Sequence, residues 1–129
     1  MTLPQVVTDY FRFLSAGKFE EAAACFAADA FYSHPPYDPG SDGVTASRLE
    51  ARGTDSLIRL FRARGERNWS HEVRSDTVEN RFYVQGVVRD ASGAEVLSFL
   101  SVGHLDDSGL IASYVAYDSR PPVGSASPF

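Results

Sequence analysis

The chain has three histidines, and two of them stand where a side chain can move protons. His34 lies in FYSHPPY, residues 31–37. Aromatic residues suit an extended backbone and the prolines restrict what precedes them, so His34 closes a strand and opens a loop. A neutral imidazole facing an apolar pocket there accepts a proton near neutral pH. The same ring can equally hydrogen-bond the loop it begins. His71 follows Trp69 in NWSHEV. If residues 69, 71 and 73 face inward, Trp69, His71 and Val73 line a pocket with His34, while Ser70 and Glu72 face solvent. His104, in SVGHLDD, sits beside a turn and is expected to be exposed.

Two further groups fit this chemistry. Tyr10 falls on an apolar helical stripe, so its ring points inward and its hydroxyl needs a partner. That partner is either a backbone carbonyl or a developing oxyanion, a contact that strengthens as charge appears. Asp118, in YVAYDSR, sits near the end of the last strand. It either orients His34, acts as acid or base with a pKa raised by burial, or pairs with Arg120. His34, His71 and one acid would suffice chemically for a metal, but no HxH or HExxH spacing supports one. There is no Gly-rich phosphate loop, GxSxG elbow or CxxC, so no metal and no cofactor are expected. The lone Cys25 lies in EEAAACFAA and reads as a small core residue. Arg59 and Arg62 read as a solvated helix face, and Arg48 and Arg52 as lying near the pocket mouth.

The elements that must position these groups are legible from periodicity. Leu3, Val6, Val7, Tyr10, Phe11 and Leu14 share one helical face, with Thr2 as a cap and Gly17 as the stop. A second helix carries Phe19, Ala22, Ala23 and Phe26. DAFYSH (29–34) follows as a short strand. Residues 35–52 form the longest irregular stretch, with a short helix near 45–50. Thr54 is expected to cap a third helix with Leu57, Ile58 and Phe61 inward and Gly65 at its end. Strands follow at 69–78, 81–90, 95–105 and 110–118. DASG (90–93) and DDSG (106–109) are turn signals that make antiparallel hairpins. This order gives an α+β fold: a cone-shaped, curved antiparallel sheet covered by three N-terminal helices and enclosing a pocket. One domain over 1–120 and a loose tail over 121–129 are expected.

Composition narrows the partners. A net charge of −5 without a basic run disfavours nucleic acid and anionic membrane surfaces. No apolar stretch approaches the ~20 residues that span a bilayer. MTLPQVVTDYF lacks the charged start of a signal peptide, and a single cysteine forms no internal disulfide. A cytoplasmic protein is expected. Tyr83, Gln85, Val87 and Arg89 would lie on the outer sheet face, a mixture that suits a homodimer interface.

This element order, with FLSAGKFEEAAACFAADAFYSHP, GTDSLIRLFRARG and LDDSGLIASYVAYD, resembles the nuclear transport factor 2-like superfamily. Within it the chain resembles SnoaL-like and ketosteroid-isomerase-like proteins over residues 3–118. By that resemblance the oxyanion-binding tyrosine of ketosteroid isomerases falls at Tyr10 and their general-base aspartate at His34. Their second oxyanion donor falls at Ser101 and a pocket tryptophan at Asp118. The acid/base aspartate of SnoaL-like cyclases falls at Ala116, and the Asp-Arg-Asp set of limonene-epoxide-hydrolase-like enzymes is not supplied. The resemblance also turns Tyr114, Ala116 and Asp118 toward the pocket. It implies a pocket for a small apolar organic ligand, a homodimer through the outer sheet face, and cofactor-free proton transfer of isomerase, cyclase or dehydratase type. His34, Tyr10 and Asp118 are the candidate catalytic residues. His71, Tyr32, Trp69, Phe82, Phe99, Ser101 and Tyr114 are the candidate substrate-binding residues. A non-catalytic binding or assembly module of the same fold is the rival reading, and a pocket filled by Phe31, Phe82 and Phe99 would favour assembly.

Overall fold

A computed structural model describes residues 4–36, 48–65 and 67–123. Helix α1 spans Gln5–Ser15 and buries Val7, Tyr10, Phe11 and Leu14, one stripe at helical spacing. Pro4 occupies its N-cap without a side-chain bond, and the expected cap Thr2 lies outside the described residues. Gly17 takes a positive φ of 73°, a conformation glycine adopts without a Cβ clash. The chain then reverses into the short α2, Phe19–Ala23. Phe26 belongs to the next strand and not to the α2 stripe, because the helix stops at Ala23.

Strand β1 covers Phe26–His34, β2 Leu49–Arg52, and helix α3 Thr54–Arg64. Two expectations are corrected here. Residues 49–52 form a strand paired with β1, so the short helix read near 45–50 does not include 49 and 50, and residues 45–47 lie outside the described residues. Gly53, with φ 86°, takes the N-cap of α3 in place of Thr54. Leu57 and Phe61 are fully buried on α3, worth about 1.5–3 kcal/mol each in transfer from water. The meander β3 (Ser70–Val78), β4 (Arg81–Arg89), β5 (Glu95–Leu105) and β6 (Ile111–Ser119) completes the chain.

The six strands form one sheet in the order β2-β1-β6-β5-β4-β3. The fold is the expected α+β cone, with one difference. β1 and β6 run parallel, so the sheet is mixed. Strand β2, helix α3 and strands β3–β5 all lie between these two strands, and a connection of that length does not force the reversal that a hairpin does. The two Asp-x-Ser-Gly turns are built alike. Asp90 Oδ1 accepts the N–H groups of Ser92 and Ala94 at 2.9 and 3.1 Å, and Asp106 Oδ1 those of Ser108 and Leu110 at 2.9 and 3.0 Å. The Ser92 and Ser108 hydroxyls donate to the same oxygens at 2.6 and 2.7 Å, and these bonds first, with the backbone ones, hold both carboxyls below the usual range.

Curvature of the inner face needs space for rings against backbone. Gly103 supplies it: a Cβ there would collide with the Phe82 ring and the Ser113 carbonyl. Gly86 does the same under Phe99. The core then fills with aromatics. Tyr10, Phe26, Tyr32, Phe61 and Tyr114 contact one another, with ring centres 5.1 Å apart for Tyr10–Phe26 and 5.5 Å for Tyr32–Phe61. Cys25 is buried beside α2, and burial pushes its thiol up to about 11, which makes it inert. Beyond β6, the Val123 N–H donates to Ser98 Oγ at 2.9 Å; residues 124–129 of the expected tail lie outside the described residues. No described helix is long and apolar enough to cross a membrane.

Candidate functional site

Between the helices and the sheet the cone holds a cavity of about 40 Å³. Its wall draws on every layer. α1 supplies Tyr10, Phe11 and Leu14, the end of β1 supplies His34, and the end of α3 supplies Arg64. His71 comes from the start of β3 and Trp69 from just before it, and Val88, Leu97 and Phe99 from β4 and β5. Tyr114, Ala116 and Asp118 come from β6, followed by Arg120.

His34 both ends its strand and faces this cavity. Pro35 has no N–H with which to continue the ladder. Past the last β1–β6 pair, Ser33 with Val115, the Ala116 carbonyl accepts from the Arg48 guanidinium instead. Arg48 also donates to Ser33 Oγ at 2.9 Å and lies over the Tyr117 ring. It therefore clamps the β1–β6 seam and is not a group of the pocket mouth. His34 Nδ1 lies 2.7 Å from the Pro35 carbonyl. A carbonyl only accepts, so Nδ1 carries the proton and Nε2 of the neutral ring keeps its lone pair. Burial, with smaller contributions from Arg64, Arg48 and Arg120, lowers the pKa to about 4, against a raising contribution from the Pro35 bond.

His71 lies across the cavity with Nδ1 3.1 Å from Ser15 Oγ. Its ring contacts Phe11 and Phe99, with centres 5.3 and 6.0 Å away. Burial, then the charges of Arg64 and His34, brings it to about 4 as well. Both imidazoles keep some surface because they face the cavity, yet both are neutral at pH 7. Trp69 stands beside them, its ring 4.8 Å from the Arg67 Cζ. Tyr10 is 1% exposed and is enclosed by Phe11, Phe26, Phe61 and Tyr114.

Asp118 faces the cavity, as parity from Tyr114 and Ala116 requires. Of the roles expected for it, orientation of His34 through Nδ1 falls to the Pro35 carbonyl. Its Oδ2 lies 3.6 Å from the Arg120 Nε, the ion pair named as the plainer alternative. That oxygen is buried with no hydrogen bond among the described residues.

Three expected wall residues stand behind the wall. Tyr32, Phe82 and Ser101 are each 0% exposed. Tyr32 lies flat between Tyr114 and His34, with ring centres 5.5 and 5.8 Å away and nearly parallel planes. Phe82 covers Gly103. Ser101 Oγ shares a hydrogen bond of 2.7 Å with the Tyr114 hydroxyl, so it is engaged inside the core and not turned to a ligand. These positions fall at the narrow end, where α1 and α3 press on the sheet and no free space remains. Phe99 alone of the three named phenylalanines reaches the cavity, while Phe31 lies under Arg52 on the other face. His104 is half-buried, 2.6 Å from Ser113 Oγ, because the neighbouring strand covers it.

Arg64 is the group that the sequence reading passed over. It is 6% exposed and lines the cavity. The signal was present: Leu57, Phe61 and Arg64 recur at i, i+4 and i+7, which places all three on one helix face. Among the described residues, no group of three His, Cys, Asp or Glu side chains converges in a way that could hold a metal ion.

No protein-family model and no curated protein matches the chain by sequence. Solved structures match it over most of its length. A protein of Agrobacterium tumefaciens, proposed to be an isomerase of the SnoaL-like family, aligns with a TM-score of 0.69 at 12% identity, covering 89% of this chain and 95% of that one. An NTF2-like protein of Cytophaga hutchinsonii aligns at 0.62 and 15% identity, with 94% of each chain covered. The fold is nuclear transport factor 2-like. The same architecture forms part of the Orange Carotenoid Protein of Anabaena, solved binding canthaxanthin, with a TM-score of 0.64 at 18% identity over 89% of this chain and 35% of that one.

Proposed function

We propose that the cavity is a small-molecule site for cofactor-free proton transfer on an apolar, carbonyl-bearing substrate, of isomerase, cyclase or dehydratase type. The observation that carries this reading is the state of His34: a neutral ring whose Nδ1–H is held by Pro35 and whose Nε2 is basic, in a cavity shared with Tyr10. His34 Nε2 takes a proton from the carbon next to the carbonyl. Tyr10 donates its hydroxyl proton into a hydrogen bond to the enolate oxygen. A conjugate acid near 4 makes His34 no stronger a base than a carboxylate. The transition state compensates, because negative charge forming beside the ring favours its protonated form. His71 and Asp118 are placed to tune or relay from the same wall.

The free volume admits only a few atoms, so a larger substrate needs movement of wall side chains. That feature favours a second reading, in which the site holds a small apolar ligand without converting it. The carotenoid-holding neighbour supports binding as a use of this fold. Deuterium exchange at the α-carbon of small cyclic ketones separates the two. Exchange that is lost in His34→Gln and reduced in Tyr10→Phe supports the enzyme; binding without exchange supports the binder. A homodimer through the outer sheet face belongs to the same proposal, since Tyr83, Leu100 and Tyr117 are exposed there. Sedimentation of the full chain tests it. The proposal also places the protein in the cytoplasm.

A further inference from the structure

His71 differs from His34 in what holds it. The Nδ1 proton of His34 faces the Pro35 carbonyl, an acceptor with no proton of its own to trade. His71 Nδ1 faces the Ser15 hydroxyl at 3.1 Å, and a hydroxyl both donates and accepts. The bond therefore survives in either neutral tautomer. In one, Nδ1–H donates to Oγ and Nε2 is bare; in the other, Oγ–H donates to Nδ1 and Nε2 carries the proton. Among the described residues, Ser15 Oγ makes no other hydrogen bond and His71 Nε2 makes none. Position adds to this. His71 lines the inner cavity with His34 and Tyr10. It also lines a surface groove between α1 and the start of β3, with Thr8, Arg12, Ser15 and Ser70. Thr8, Arg12 and Ser70 are exposed, so the groove is open to solvent. One ring thus borders both spaces, and Ser15 stands on the groove side. A pKa near 4 keeps the doubly protonated ring short-lived, so a proton that arrives is passed on.

We infer that His71 exchanges protons between the cavity and solvent, with Ser15 as the residue that positions the ring and relays the proton. A proton accepted at Nε2 is matched by one released from Nδ1 to Ser15 Oγ, whose own proton passes to water in the groove. The reverse sequence brings a proton in. One outward and one inward passage restore the ring and replace a hydrogen of the substrate by one of the solvent. This rests on the reading of the cavity as a proton-transfer site and adds the route by which its protons meet water.

Nitrogen NMR of the full chain at pH 7 reads the tautomers. The wild type should show both His71 ring nitrogens at averaged shifts, the mark of two tautomers in exchange. Ser15→Ala should collapse the ring to one form, and Ser15→Thr, which keeps the hydroxyl, should retain both. A single tautomer in the wild type, or a mixture unchanged by Ser15→Ala, overturns the inference. Exchange of the α-protons of cyclopentanone in heavy water reads the path. Ser15→Ala should slow it about a hundredfold, the low end for an acid–base group because groove water partly replaces the hydroxyl, and Ser15→Thr should restore it. An undiminished rate in Ser15→Ala overturns the inference and leaves His34 as the base. If Ser15→Ala does not fold, the tautomers of the wild-type ring decide. If the wild type exchanges no α-protons, the proposed chemistry fails, and this inference stands or falls on the ring nitrogens.

Discussion

The inner face of the sheet has two ends that are built from similar residues and do different things. At the narrow end Tyr32, Phe82, Ser101 and the Tyr114 ring are enclosed, and Ser101 and the Tyr114 hydroxyl hydrogen-bond each other. At the wide end His34, His71, Arg64 and Asp118 share a wall with Phe11, Leu97 and Phe99 around free space. Polarity alone does not separate these ends, since both carry hydroxyls and rings. Cover does. Phe61 and Tyr10 pack on Tyr32 and Tyr114 at the narrow end, whereas His34, His71 and Asp118 lie at or near strand ends, where Phe11 and Leu14 of α1 and Arg64 of α3 leave free space. A polar side chain at a strand end can face a cavity, and the same side chain mid-strand must find a partner in the core.

The largest effect that would sharpen this contrast is truncation at the packed end. Phe61→Ala should cost about 3–5 kcal/mol in urea denaturation. Phe99→Ala, on the cavity wall, should cost clearly less, because one side of that ring already faces free space. Equal losses would mean that the two ends are packed alike.

Acid should break the wide end first. His34 and His71 have native pKa values of about 4, below the ~6.5 of an unfolded chain. Between those values the unfolded state binds protons that the native state refuses, so stability is full above pH ~6.5 and is lost as pH falls toward ~4. Each ring accounts for on the order of 3 kcal/mol of that loss. Denaturation at pH 7.0 and 4.5 should show a steep fall in the wild type and a shallower one in His71→Gln.

Ser101→Ala should cost about 0.5–1.5 kcal/mol by removing its hydrogen bond to the Tyr114 hydroxyl, with ligand binding unaltered. An altered ligand affinity with unchanged stability would instead return Ser101 to the pocket. The smallest effect belongs to the exposed pair Arg62–Glu20 at 2.7 Å. Arg62→Ala should move the midpoint by less than about 0.5 kcal/mol.

Much of this division was legible beforehand. The Asp-x-Ser-Gly turns and the alternation through residues 70–78 gave the meander to within a residue or two, since turn chemistry and period-two patterning are local. His34 and His71 were placed by the proline stop and by strand parity. What escaped was non-local. The parallel β1–β6 pairing depends on where the chain returns after β2, α3 and strands β3–β5. Strand β2 has only four residues, too few for a period. Tyr32, Phe82 and Ser101 have the parity of a pocket wall, and only the seating of the helices shows that no pocket reaches them. Arg64 was hidden differently: its position in the helical stripe was readable, but its residue type suggested solvent.

The proposed chemistry depends on His34 being a neutral cavity imidazole with its proton on Nδ1. Nitrogen NMR of the histidine rings, assigned with His34→Gln, tests it most directly. The prediction is a protonated Nδ1 and a bare Nε2 at pH 7, a pKa near 4, and movement of both on adding a cavity ligand. A ring titrating near ~6.5 as in an unfolded chain, or carrying its proton on Nε2, would contradict the account and leave His34 as the end of a strand and nothing more.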